Sequence, residues 1–179
     1  MKRYFLDTEF NEDGRIIDLI SIALVCDDGR EYYAASTEFD PNTCNDWVKT
    51  NVIPLLPPTD YNFTWYNPSG VNYTSPLWKP RQAIAQELIE FVGINQGVEP
   101  QFWAHVADYD WVALCQLYGT LVNRPKGMPM YCNDLKQLHE ELNRPPLPNQ
   151  EGIKHDALQD ARWNYQAWQT LCQHMAIAS

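Results

Sequence analysis

The sequence predicts one α/β domain, residues 1–179, whose five-stranded mixed sheet is flanked by helices. Three observations lead there. Between Lys2 and Ala35 lie three apolar runs joined by short turn-forming segments, the pattern of an antiparallel meander. Beyond them helical and strand-like periods alternate, which extends a sheet and covers it with helices. A length of 179 residues, 45% hydrophobic and 20% charged, is enough for one sizeable core and ordinary for a globular chain.

Taken in order, Lys2–Phe10 is rich in aromatic and aliphatic residues and reads as a strand. Asn11-Glu12-Asp13-Gly14 is turn chemistry. Ile16–Val25 is a nearly continuous apolar run, as expected of a strand covered on both faces. Asp27-Asp28-Gly29 turns again, and Glu31–Ala35 is the third strand. A short helix fits Asn45–Ile53, stopped by Pro54. Thr59–Pro80, rich in Tyr, Trp, Asn and Pro, reads as a long loop. Its aromatics suit either base stacking or pinning the loop to its own domain or to a second copy.

Arg81–Phe91 has Ile84, Leu88, Ile89 and Phe91 on helical spacing, with Gly93 and Gly97 after them. Gln101–Ala104 is a fourth strand. A helix follows with Val112, Leu114 and Leu117 on its apolar side and Gly119 at its stop. Met128–Asn133 reads as the fifth strand, and Asp134 as the cap of a helix running to Leu142. Arg144–Gln150 is a proline-rich connector. The last helix spans Ala157–His174, with Leu158, Ala161, Tyr165, Trp168 and Leu171 as its buried stripe.

No apolar run is long enough to cross a bilayer. The opening MKRYFLDTEF reaches its acids before a leader core could form. The five cysteines are scattered and lack CxxC spacing, which argues for free thiols and a cytoplasmic setting, against zinc or a disulfide framework. A net charge of −10 disfavours broad non-specific duplex binding. It leaves open a small nucleic-acid site in which metal ions neutralise phosphate.

Three acidic groups stand out. Asp7 and Glu9 share one face of the first strand, about 6.6 Å apart along the backbone. They are either solvated acids at a strand end or a pair that repels unless a cation lies between them. Asp108-Tyr109-Asp110 follows the fourth strand; with Asp108 as cap, Asp110 falls in the helix's first turn, where the dipole favours its anion. Alone, both acids could simply favour the helix start. His155 and Asp160 are about 140° apart on a continuous helix and could not share a face there. Asp156 with Gln159 has the form of a capping box, so His155 lies just outside the helix and Asp160 is its fourth residue. Those two positions pack together in a hydrophobic staple, and here they hold a histidine and a carboxylate. Asp7, Glu9, Asp110 and Asp160 suit hard divalent ions such as Mg²⁺ or Mn²⁺. His155 could take a proton from an attacking water.

DTEF near the start, AHVADYDWVAL in the middle and HDALQDA near the end resemble the three motifs of DEDDh 3′–5′ exonucleases. That group has a ribonuclease H-like fold and includes oligoribonuclease and ribonuclease T. DTEF, DGREYYAASTEFDP and YDWVALCQLYG are closer still to the small mycobacterial-type exoribonuclease branch. The resemblance implies two Mg²⁺ ions per site, with Mn²⁺ as substitute. Asp7 would bridge both, Glu9 and Asp160 would hold the tighter one, and Asp110 would serve the second, directly or through water. His155 would be the general base, and Thr8, Phe10 and Tyr109 would contact substrate. It also implies a homodimer. Val106 departs from the pattern, since many relatives carry asparagine there.

The expected activity is metal-dependent 3′–5′ hydrolysis of RNA from a single-stranded 3′ end or overhang, releasing nucleoside 5′-monophosphates, with no membrane partner. A DNA exonuclease with the same residues and a catalytically silent binding module on this fold are the alternatives. Arg124, Lys126, Arg144 and Lys154 lie near the later motifs and are either phosphate contacts or solvated charge.

Overall fold

The computed structural model describes residues 1–60, 72–73 and 75–178. Strands β1 (Lys2–Glu12), β2 (Ile17–Cys26) and β3 (Glu31–Ser36) form the expected antiparallel meander. At the first turn Asp13 accepts the Arg15 and Ile16 amides. At the second, Gly29 takes φ +89°, a conformation that L side chains resist. Helix α1 (Asp46–Asn51) is shorter than expected. Asn45 caps it by accepting the Val48 amide, and Val52 leads into a 3₁₀ turn at Ile53–Leu55.

Strands β4 (Thr59–Asp60) and β5 (Asn72–Tyr73) pair with each other, and β6 (Trp78–Lys79) joins the main sheet. Helix α2 (Arg81–Val92) ends at Gly93 in the left-handed conformation. A Cβ there would meet Val98 Cγ2 at 2.9 Å, so both torsion and space require glycine. Strand β7 (Pro100–Ala104), helix α3 (Asp108–Gln116), strand β8 (Asn133–Asp134), helix α4 (Leu135–Glu141) and helix α5 (Ala157–Ala178) complete the order.

The main sheet is mixed and has six strands, ordered β6-β3-β2-β1-β7-β8. The expectation of five is corrected by β6, a two-residue strand parallel to β3 inside the stretch read as loop. Two residues carry no periodicity from which a strand could be read. Met128–Asn133 likewise shrinks to Asn133–Asp134, paired with Trp103 and Ala104. The aromatics Tyr61, Phe63, Trp65 and Tyr66 lie outside the described residues. Trp78 is buried with Phe39, Val48 and Val52, and its Nε1 donates to the Pro57 carbonyl at 3.2 Å, so this one pins its own domain.

Alternation along β1 divides the core into two layers. Tyr4 and Leu6 pack with Ile84, Leu88 and Val92 of α2 and Ala113 and Leu114 of α3. Phe5 faces the opposite way, with Ala23 and Val25, onto Ala157 and Ala161 of α5. Helix α5 runs one turn past its expected end. Its fully buried line is Ala157, Ala161, Asn164, Ala167 and Leu171, while Tyr165 and Trp168 flank it against Phe5. Small residues let the helix lie close to the sheet. Among the described residues no helix is long and apolar enough to cross a membrane.

Candidate active site

The site forms where β1 outlives its neighbour. Lys2 N–H donates to the Glu99 carbonyl, so even-numbered residues of β1 turn their backbone groups toward β7. Pairing with β7 stops at Phe5. Beyond it, two side chains take the vacated backbone groups. Asn164 of α5, 1% exposed, donates Nδ2 to the Leu6 carbonyl at 2.9 Å. Asp110 of α3 accepts the Thr8 amide at 2.8 Å and the Thr8 hydroxyl at 2.6 Å, all on Oδ1.

Asp7 and Glu9 lie on the α5 face of the same strand end, opposite Ala23 and Ser21. A register shift between Glu9 and Phe10 then bends the strand. From α5 comes Asp160. Its Oδ2 accepts the His155 backbone amide at 2.9 Å and its Oδ1 the Gln150 side-chain amide. Asp156 caps α5, accepting from Leu158 and Gln159 at 3.0 and 3.2 Å. His155 sits just outside the helix at φ +68°, which turns it back toward Asp160. The staple-like meeting of residues 155 and 160 thus occurs through a backbone amide, and the imidazole packs edge-on against Trp47 with ring centres 4.7 Å apart.

A cleft of about 470 Å³ gathers Asp7, Thr8, Glu9, Phe10, Tyr109, Asp110, His155 and Asp160, every residue the sequence singled out for the site. Glu9, His155 and Asp160 offer ligand atoms within 4.8 Å of one another, a group able to hold a metal ion. Asp7 and Asp110 line the cleft outside that group. Asp108 does not cap α3; Ala107 stands at the start, Asp108 is the first helical residue, and Asp110 lies in the first turn.

The electrostatics are those of carboxyl groups gathered with no lysine or arginine beside them. Asp7, Glu9, Glu12, Asp110 and Asp160 share the cleft, and no described residue lining it is Lys or Arg. Burial, then Asp110, Glu9 and Asp160, holds the Asp7 carboxyl well above the usual carboxylate range. Burial pushes Glu9 up to about 8, reinforced by Asp160 and Asp110. Burial raises Asp110 to about 7 against the pull of its two Thr8 hydrogen bonds. Burial also raises Asp160, opposed by the bonds from His155 and Gln150.

Phe10 and Tyr109 stack at 5.6 Å and 8° to make an aromatic wall, and Val106 stands beside them, 53% exposed. None of Arg124, Lys126, Arg144 and Lys154 lines the cleft. Arg144 pairs with Glu140, and Arg124 donates to the Met128 carbonyl. Sequence reasoning missed Trp47, Glu12 and Gln150. Trp47, on the first turn of a capped six-residue helix yet exposed, left a faint signal. Gln150 left none, because its contact with Asp160 depends on the path of the connector.

Over residues 2–172 the chain matches the family model described as the 3′-5′ exoribonuclease Rv2179c-like domain. Two relatives from Mycobacterium tuberculosis are each 46% identical to it over 160 residues, covering 89% of this chain and 87% of theirs. They are 3′-5′ exoribonuclease Rv2179c of strain H37Rv and 3′-5′ exoribonuclease MT2234.1 of strain CDC 1551. With a family match across nearly its whole length and relatives this similar, the chain belongs to the Rv2179c-like 3′-5′ exoribonuclease domain family.

Proposed function

We propose that this protein is a metal-dependent 3′–5′ exoribonuclease of the DEDDh type on a ribonuclease H-like fold. It removes nucleoside 5′-monophosphates from a single-stranded RNA 3′ end. The observation that carries the reading is the gathering of Asp7, Glu9, Glu12, Asp110 and Asp160 around one cleft without a lining Lys or Arg. Such a set is costly to ionise unless divalent cations occupy it, and an all-oxygen set with one imidazole fits Mg²⁺, with Mn²⁺ as substitute. Asp7 would contact both ions, Glu9 and Asp160 one, and Asp110 the other. When bound, the ions would neutralise charge on the phosphate and steady the attacking and leaving oxygens.

The chain's own residues do the rest. His155 accepts a proton from water as the water oxygen bonds to phosphorus. The bond from phosphorus to the 3′-oxygen of the preceding nucleotide breaks, and that oxygen keeps the bonding pair and takes a proton from solvent to become the 3′-hydroxyl. Asp160, tied to the His155 amide, keeps the histidine beside the acids. Thr8 fixes Asp110, and the Phe10–Tyr109 wall faces the terminal base. Free cysteines at all five positions suit the cytoplasm. A homodimer is part of the same reading, and light scattering would test it.

The deciding experiment follows 3′- and 5′-labelled RNA and matched DNA with and without Mg²⁺. Asp7→Ala and His155→Ala should each abolish turnover while leaving the protein folded. Wild-type rates in both variants would sink the assignment. Faster loss of DNA than RNA would move it to a DNA exonuclease, and tight RNA binding without turnover to a silent binding module.

A further inference from the structure

Strand β7 ends at Ala104, and only His105, Val106 and Ala107 separate it from α3. The chain makes that turn through Val106 at φ +60°, a conformation that a β-branched residue strongly disfavours. Ala107, at the helix start, has no side chain able to cap it. The turn is held from outside instead. Asp134 pairs with Ala104 across the β7–β8 ladder and divides its carboxylate between two helix starts. Its Oδ1 accepts the Lys136 and Gln137 amides at 2.6 and 3.2 Å, capping α4. Its Oδ2 accepts the Ala107 amide at 2.9 Å. Asp110 rides on the first turn of α3, three residues beyond Ala107, and from there reaches Thr8.

We infer that Asp134 is a positioning residue for the hydrolysis: its bond to Ala107 holds the Val106 turn and thereby places the Asp110 carboxylate in the cleft. The inference rests on the metal-nuclease reading above. It separates two services that a single carboxylate performs, capping α4 and setting the start of α3, and the two can be separated experimentally.

Asp134→Asn keeps the side-chain size and one acceptor oxygen, and asparagine caps helices as well as aspartate. The Ala107 amide then faces a donor and loses its partner. For such an outer partner, kcat on RNA should fall about 10- to 100-fold, with KM changed far less. Mn²⁺ affinity of the RNA-free protein, read by electron paramagnetic resonance, should weaken in parallel. Asp134→Ser, which can cap α4 but is too short to reach Ala107, should behave alike. Adding Val106→Asn, a residue more at ease at positive φ, should recover several-fold of both losses.

Unchanged kcat and Mn²⁺ affinity in Asp134→Asn and Asp134→Ser would overturn the inference while leaving the nuclease reading intact. So would a lowered melting temperature as their sole defect, since Asp134 would then serve α4 alone, or losses that Val106→Asn does not touch, since they would not pass through the Val106 turn. A wild type with no metal-dependent turnover would instead overturn the nuclease reading, and this inference with it.

Discussion

Thr8 gives both of its hydrogens to one atom of Asp110, the amide at 2.8 Å and the hydroxyl at 2.6 Å, across 102 residues of chain. This doubled bond joins β1 to α3 where the β1–β7 pairing has already ended. It also opposes, at Asp110, the burial that would otherwise protonate it.

Thr8→Val tests that relationship by removing the hydroxyl and keeping the volume and the amide bond. At pH 8, urea unfolding of the metal-free variant should show a loss of about 1.5–3 kcal/mol, the range for a hydrogen bond to a charged partner. The Asp110 carboxyl should titrate above its present value of about 7, readable by carboxyl-carbon NMR. Equal stability and titration would mean that the hydroxyl is a spectator.

Glu9 and Asp110, raised to about 8 and about 7, make a prediction about pH. An acid whose folded pKa is raised favours folding in its protonated form. That stability is fully present below the unfolded value and is lost as pH rises through the folded one. The metal-free protein should therefore lose melting temperature between about pH 4.5 and pH 8. Asp28 and Glu31, held below the usual range by Lys2 and Arg162, act in a lower window, so the two trends separate. Glu9→Gln should flatten the upper slope, and Mg²⁺ should raise the melting temperature more at pH 8 than at pH 5.5. A flat metal-free profile would contradict the burial of these charges.

Asn164 is a polar residue in the otherwise apolar line that α5 presents to the sheet. Replacing it with leucine leaves the buried Leu6 carbonyl without its donor, beside Asp7. A destabilisation of about 1–3 kcal/mol is expected by denaturant unfolding. A neutral result would mean that water reaches the carbonyl.

Trp47 holds the His155 ring edge-on at 4.7 Å while itself 52% exposed. An aromatic pair of this kind contributes about 0.5–1.5 kcal/mol, or roughly 2- to 13-fold in rate if spent on aligning His155 in the proposed role of base. Trp47→Ala should lower kcat by that factor with little change in melting temperature, and Trp47→Phe should retain most of it. A change in KM alone would assign Trp47 to substrate binding.

The long elements could be read from the sequence because they repeat their signal. β1 and β2 alternate or run apolar over ten or more residues, and α2 and α5 carry helical spacing over three turns or more. Asp134 and Asp156 announced their helices through side-chain chemistry at the cap. β6 and β8, two residues each, exist only because β3 and β7 offer them an edge, and no local pattern encodes that. The apolar side assigned to α3 was partly misjudged, since Val112 is exposed and the short helix meets the sheet through Ala113 and Leu114. At the site, residue type and order located the acids and the histidine. The bonds that aim them, from Gln150, Asn164 and Asp134, depend on where distant segments pass and could not be read from spacing.

The closing of β1 beyond Phe5 also bears on solubility. A strand whose amides and carbonyls lack a neighbour is a template onto which a foreign chain can add. Asp110 and Asn164 occupy the Thr8 amide and the Leu6 carbonyl that such a chain would use. On the proposed reading, the residues that would serve or support the chemistry also cover the edge onto which a second copy could add. A variant lacking both should fail first by precipitating at concentrations the wild type tolerates, and a knockout made only to abolish turnover can mislead an expression screen.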